Sequence, residues 1–264
     1  MAKATRTTAA AAKNVPAVKQ SQNMAIIDDK PDYIDDSKSR GNEGIGLSDI
    51  IVPRLEVVQA LSPCLDESED AYIEGCKAGD LYNSVTRKLY GEQAYVVPVV
   101  FRKEYNVWVK RKKGEATGKT NQFKGSFPSM EAAEAKLEEV GADKHEIIET
   151  PMHFCLLVDQ ESGLTEQIVV SMPKTKYKVS RKWNSLIQMS GGDRFSRVYK
   201  LYGTREENDF GKFFNFNVMP VGYPSKPLYM TAADLYQKVK SGLKLRAADE
   251  PDTDAGEGEA DAEY

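Results

Sequence analysis

Apolar residues recur along this chain mostly with a period of two, in short runs punctuated by Gly, Pro, Asn and Asp, and three stretches shift to the helical period. Residues 1–45 have no period; they are rich in Ala, Lys and Asp and read as a disordered arm, with Gly44 and Gly46 at its junction with the body. IIVPRLEVVQAL (50–61) opens that body, and Pro53, which cannot donate to a ladder, confines any strand there to an edge. Turn residues follow at 77–80 and at Gly91. Residues 94–111 are Val- and aromatic-rich strand material in which Pro98 predicts a bulge or bend, and residues 112–122 are a polar loop. Ser129 caps a helix over MEAAEAKLEEV that Gly141 ends. Apolar runs on either side of 159–163 predict a hairpin over 152–172, and a second hairpin spans 194–223 with its turn at 207–211. Between the hairpins, Val179, Trp183, Leu186 and Ile187 fall at helical spacing; Thr231 caps a last helix over 232–244. Many short strands with a few helices between them predict a β-rich α+β fold, best matched by an OB-like Greek-key barrel with inserted helices. The expected organisation is an arm (1–45), one OB-like domain (46–246) and a tail (247–264).

Length and composition narrow this only modestly. A chain of 264 residues with 41% hydrophobic and 29% charged residues accommodates one domain of about 200 residues plus tails. No apolar run approaches the roughly 18–20 residues of a membrane span, and the N-terminus has no apolar h-region, so a cytoplasmic protein is expected. The N-terminal Thr/Ala/Lys composition faintly resembles a transit peptide but reads better as a disordered arm. Three Cys, at 64, 76 and 155, make no paired framework, as in a reducing compartment.

Charge changes the picture more. Residues 249–264, DEPDTDAGEGEADAEY, carry eight carboxylates and no cation; without them the formal charge goes from -4 to +4. Such a block cannot bury enough surface to fold and reads as a solvated acidic tail. In the body, cations and rings interleave twice: residues 101–127 hold eight Lys/Arg against two Glu, and residues 174–205 hold nine against one Asp. Cations neutralise phosphates and rings stack on unpaired bases, so this pairing suits single-stranded nucleic acid; no helix dense in Arg, Asn and Gln suggests a duplex reader. The plainer alternative is a sheet whose aromatics face the core and whose lysines face solvent, which period-two alternation produces by default.

Catalytic chemistry is thin. His145 and His153 are the two histidines. A zinc set could be assembled only from His153, Cys155, Cys64 and Cys76, with no CxxC pair, so buried thiols and no metal or other cofactor are expected. GEATGKT (114–120) lacks the glycine spacing of a phosphate-cradling loop, and neither a G-x-S-x-G elbow nor an HExxH pair occurs. No enzyme is expected.

The layout resembles the single-stranded DNA-binding proteins of tailed bacteriophages: an oligonucleotide-binding fold with a basic, aromatic groove and an acidic tail ending in an aromatic; the segments GDLYNSVTRKLYG (79–91), VVPVVFRKEYNVWVK (96–110) and SRKWNSLIQM (180–189) look like parts of phage proteins of no named family. The resemblance implies a protein that coats and protects single strands in phage replication and recombination. Lys110, Arg111, Lys112, Lys113, Lys119 and Lys124 would hold phosphates, with Tyr105, Trp108, Phe123 and Phe127 stacking on bases. On the second stretch Lys176, Lys178, Arg181, Lys182, Arg194, Arg197 and Lys200 would be the cations and Tyr177, Phe195, Tyr199 and Tyr202 the rings, while the spacing of Trp183 puts it in the core. Alternation sends Phe214 and Phe216 inward and leaves Phe213 outside. The tail, through Asp261, Glu263 and Tyr264, would recruit a polymerase, helicase or primase. A strand-annealing mediator and a phage structural or scaffolding protein remain the alternatives.

Overall fold

The computed structural model describes residues 33, 40–43, 51–110, 123–160, 163–208, 211–241 and 246–247. The N-terminal arm, the basic loop 111–122 and the acidic tail expected from the sequence lie outside these, apart from residues 33, 40–43 and 247. In chain order the elements are β1 (Ile51–Val52), β2 (Leu55–Val57), β3 (Leu81–Asn83), β4 (Leu89–Gly91), β5 (Gln93–Val109), β6 (Phe123–Phe127), α1 (Met130–Val140), β7 (His145–Val158), β8 (Thr165–Ser171), α2 (Tyr177–Ser190), β9 (Val198–Asn208), β10 (Gly211–Gly222), α3 (Lys226–Lys240) and β11 (Arg246–Ala247). The fold is therefore β-rich with three described helices.

The main sheet runs β10-β9-β5-β7-β8, all antiparallel, with β6 pairing the far half of β5. It does not close into a barrel. A barrel would need β8 to pair with β10, and the segment 53–59 stands between those edges. At β8 the amide of Val169 donates to Pro53 O. At β10 the Gln59 side chain mimics a strand, accepting from Phe214 N at 2.8 Å and donating to Phe214 O at 2.8 Å. The rest of the β10 edge is also blunted, because Asn217 Oδ1 takes the amide of Val218 and Pro220 has none. β2, β3 and β4 form a small second sheet. The turn before β3 lies so close to β9 that a Cβ on Gly203 would meet Gly79 O at 2.1 Å, so only glycine fits there.

Pro98 does what its position predicts: the β5–β7 register slips between Pro98 and Val100. Before the bulge, Ala94 and Val96 face the principal core with Leu55, Leu157, Trp183 and Phe216, and Val97 faces the α3 side with Leu156 and Leu235. Helix α1 begins and ends at the expected cap and glycine, Ser129 Oγ accepting from Ala132 N. Helix α2 buries Val179 and Trp183 as its spacing requires. The last helix starts earlier than the sequence reading placed it. Ser225 is its N-cap and Pro227 sits in its first turn, while Thr231 lies inside and donates its hydroxyl back to Pro227 O.

Inside the principal core His153 is 0% exposed. Its ring stacks on Trp183 at 4.4 Å between centroids and meets Phe101 edge-on. Arg194 can only donate, so its 2.8 Å contact makes His153 Nδ1 an acceptor, and Nε2–H then donates to Ser180 Oγ at 2.8 Å. Burial first, and the Arg194 charge second, hold His153 well below the ordinary histidine pKa. The unfolded chain takes up this proton near pH 6.5 and the folded one does not, so stability is complete above that pH and falls as pH drops below it. The denaturant midpoint should decline from about pH 7.5 to about pH 5.5 in the wild type, and the decline should be smaller in His153→Gln, whatever that variant's absolute stability. An equal decline in both proteins would contradict this network.

Candidate nucleic-acid interface

Beyond the bulge, alternation along β5 places Arg102, Glu104, Asn106 and Trp108 on one face and Lys103, Tyr105 and Val107 on the other. The registered partners of Glu104, Asn106 and Trp108 on β7 are Thr150, Ile148 and Glu146. Thr150, Ile148 and Glu146, with Asn106, Trp108, Val109, Arg54, Ser171, Pro173 and Lys174, line a cleft of about 280 Å³. It unites four stretches of chain far apart in sequence. Trp108 forms its aromatic wall and is braced by its β6 partner Phe123, with ring centroids 4.9 Å apart.

Arg54 supplies the charge. Its backbone is pinned on both sides: its amide donates to Ser84 Oγ, its carbonyl accepts from Ser84 N, and it bridges to Val169 of β8. The side chain is half-buried, has no carboxylate partner among the described residues, and its Nε is buried without an acceptor. A half-buried, uncompensated guanidinium is costly unless something anionic visits it. Lys174, on the same cleft, has φ +51°, a left-handed backbone that costs a non-glycine residue about 1 kcal/mol or more. Its Nζ pairs with Glu146 at 3.1 Å. Asn106 Nδ2 donates to Thr150 Oγ1, whose own hydrogen goes to Ile148 O; this fixes the amide's orientation and leaves Asn106 Oδ1 buried without a donor.

A second cleft, about 430 Å³, is lined by Lys77, Gly79, Asp80, Glu92, Lys200, Tyr202 and Phe214 among others. It brings together the expected Lys200 and Tyr202, with Nζ 5.5 Å from the ring centre, but Asp80 and Glu92 offset its two cations.

The other expected site residues are scattered or already engaged. Trp108 and Phe123 stand together, whereas Tyr105 and its partner Phe127 lie on the opposite face, since residues three apart on a strand point opposite ways. Lys110 reaches the carbonyls of Ala142 and Asp143 with no carboxylate, and Lys124 has no partner among the described residues. Arg111, Lys112, Lys113 and Lys119 lie outside the described residues, as do Asp261, Glu263 and Tyr264. Phe123, the first described residue after 111–122, stands against Trp108.

Most of the second stretch holds the fold together. Lys176 pairs with Glu56 and covers the Phe216 ring, Lys178 pairs with Glu206, and Lys182 donates to Asn217. Tyr177 donates to Glu149, whose carboxyl is held below the usual range first by Lys103 beside it. Arg194 is bound into the His153 network, and Arg197 lies over Tyr223 and donates to its hydroxyl. Tyr199 is 1% exposed and packs edge-on to Trp183, and Phe195 is 5% exposed, so neither ring can stack on a base in this structure. Arg181 alone of these cations is exposed without a described partner. Phe216 is buried and Phe214 packs on the core, as alternation requires.

Sequence reasoning missed Arg54, Asn106, Glu146, Ile148, Thr150, Ser171 and the role of Lys174. One signal was visible for Arg54: it is a lone cation inside the apolar run 50–55. Among the described residues no group of three His, Cys, Asp or Glu could hold a metal ion. Cys64 and Cys76 adjoin one another, Sγ to Sγ 3.7 Å, in a separate apolar cluster from Cys155. No described helix is long and apolar enough to cross a membrane.

Residues 19–244 match the family model described as Pam3 phage gp34-like protein. The chain belongs to that family. The match supports a phage protein and carries no statement about single-stranded DNA. Neither the curated proteins nor the solved structures match the chain.

A residue kept for a ligand rather than for the fold should be dispensable to stability. Arg54→Met should unfold at the same denaturant concentration as the wild type or higher, by up to about 1 kcal/mol. A loss of several kcal/mol would make Arg54 a structural residue.

Proposed function

We propose that this phage protein is a non-enzymatic, largely sequence-tolerant single-stranded DNA-binding protein, and that the strand passes over the Trp108 cleft. The observation that carries this reading is the Arg54 guanidinium, without a carboxylate partner among the described residues, on the same cleft as the braced Trp108 ring. A cation for the phosphates beside a π-face for the base is the minimal unit of single-strand binding. Further support comes from Lys174 on the same wall and from the four cations that the sequence places between Lys110 and Phe123, Arg111, Lys112, Lys113 and Lys119. The acidic tail also belongs to this picture. β11 pairs in parallel with β1, Ala247 opposite Val52, so the carboxylate run starts two residues after a strand whose partner leads directly to Arg54.

A titration with fluorescent oligothymidine should show binding well ahead of the corresponding duplex. For about five neutralised phosphates the affinity should fall with log salt at a slope near −3.5. Arg54→Gln should weaken binding and reduce that slope by about 0.7, while Trp108→Leu should cost about 1–3 kcal/mol with the slope kept. Equal affinity for duplex and single strand would refute the reading. Binding unaltered in both variants would move the site away from this cleft.

Ending the chain at Ala248 removes eight carboxylates that can reach the cleft only by direct contact, because screening at physiological salt acts within about 8 Å. The truncated protein should bind single strands more tightly at low salt, and the gain should shrink as salt rises. An unchanged low-salt affinity would show that the tail does not compete for the site.

A further inference from the structure

Resting on the single-strand reading, the geometry points to something narrower: the Trp108 cleft is a pocket for one nucleotide that engages base and phosphate together, and a mononucleotide suffices to fill it. Three features converge. The first is volume. At about 280 Å³ the cleft lies just below the range of about 300–1,000 Å³ in which small-molecule pockets fall, room for one nucleotide and not for a run of them.

The second is a pair of orphan atoms of opposite polarity. Of the buried side-chain N and O atoms that lack a partner among the described residues, Arg54 Nε and Asn106 Oδ1 belong to residues lining this cleft, and none belongs to a residue lining the larger one. Arg54 requires an acceptor, best an anion. Asn106 Oδ1 requires an N–H or O–H donor, because its amide is locked by the Thr150 hydroxyl. A ligand that satisfies both carries an acceptor, best an anionic oxygen, and a hydrogen-bond donor.

The third is the flat apolar wall of Trp108 and Ile148, which calls for a planar ring on the same ligand. A nucleotide has all three parts: phosphate oxygens for Arg54 and Lys174, base N–H groups (ring or exocyclic amino) for Asn106, and a π-face for Trp108. Inorganic phosphate lacks two of them and a nucleoside lacks one. Glu146 holds Lys174 in an ion pair, so it restrains the site and keeps Lys174 from adding its full charge.

Tryptophan fluorescence reads this pocket directly, because the chain has two Trp and the other, Trp183, is 0% exposed. The full-length protein is titrated with deoxynucleoside monophosphates, with the matching nucleosides, and with inorganic phosphate. Monophosphates should quench Trp108 saturably, nucleosides should bind at least roughly tenfold more weakly, and inorganic phosphate should compete without quenching. Arg54→Gln should erase the advantage of nucleotide over nucleoside. Asn106→Val should weaken both by a similar factor, and Glu146→Gln should tighten the monophosphate alone. No quench by any mononucleotide, in protein that still binds oligothymidine, would overturn the pocket and leave the single-strand reading standing. Failure to bind either would remove both. Quenching that survives Arg54→Gln and Asn106→Val unchanged would place the ligand elsewhere.

Discussion

The pairing of β5 with β7, interrupted by one bulge, is the constraint on which the rest of the molecule depends. A strand must alternate its side chains between two faces, and a single extra residue reverses which set faces which way. Here the slip at Pro98–Val100 divides β5 into two halves with different tasks. The near half places Ala94 and Val96 in the principal core and Val97 under α3. The far half sends Asn106 and Trp108 to one face with Ile148 and Thr150, where no residue of α1, α2 or α3 lines the cleft, and sends Val107 inward on the other. Without the bulge the far half would invert, and Trp108 would be on the opposite face from Arg54. Proline at the slip is apt, because a residue with no amide to donate is lost from the ladder there at least cost.

Charge in the sequence and charge available to a ligand are different quantities in this protein. The stretch 174–205 is the more basic of the two, yet Lys176, Lys178, Lys182, Arg194 and Arg197 are each committed to a partner in the fold. The two ion pairs, Lys176–Glu56 and Lys178–Glu206, contribute little stability, about 0–1 kcal/mol each, but they offset two cations in the field that a phosphate would feel. Lys182, Arg194 and Arg197 keep their charge, with donors turned to neutral partners in the fold. Arg54 stands in a less basic stretch and has no counter-ion among the described residues. A single half-buried guanidinium without a counter-ion outweighs several paired surface lysines as an anion site, because attraction strengthens where water is excluded.

Much of the architecture was legible because local signals were unambiguous. Ser129 and Gly141 bracket α1, the two hairpins turn where the polar residues cluster, and Trp183 sits in the core at its helical spacing. The start of α3 was misplaced because Thr231 offers a cap-like hydroxyl, although Ser225 followed by Lys226-Pro227 is the stronger signal. The barrel did not follow from the strand pattern, since closure is decided by edges, and Gln59 reaching Phe214 across 155 positions leaves no local trace. The same limit hid the cleft: its walls come from residues 54, 106–109, 146–150 and 171–174, and no short window contains them. Placing Tyr105 and Trp108 in one groove was an avoidable error, since an odd spacing on a strand already separates them.

The central claim is that single-stranded nucleic acid lies on the Trp108 cleft. Photocrosslinking tests it most directly. The full-length protein is bound to an oligothymidine carrying iododeoxyuridine, irradiated, digested and mapped by mass spectrometry. Crosslinks should concentrate on Trp108, with Phe123 the next site, and should be lost when unlabelled single strand competes. Crosslinks confined to Tyr202 or Tyr223, with none at Trp108, would contradict it.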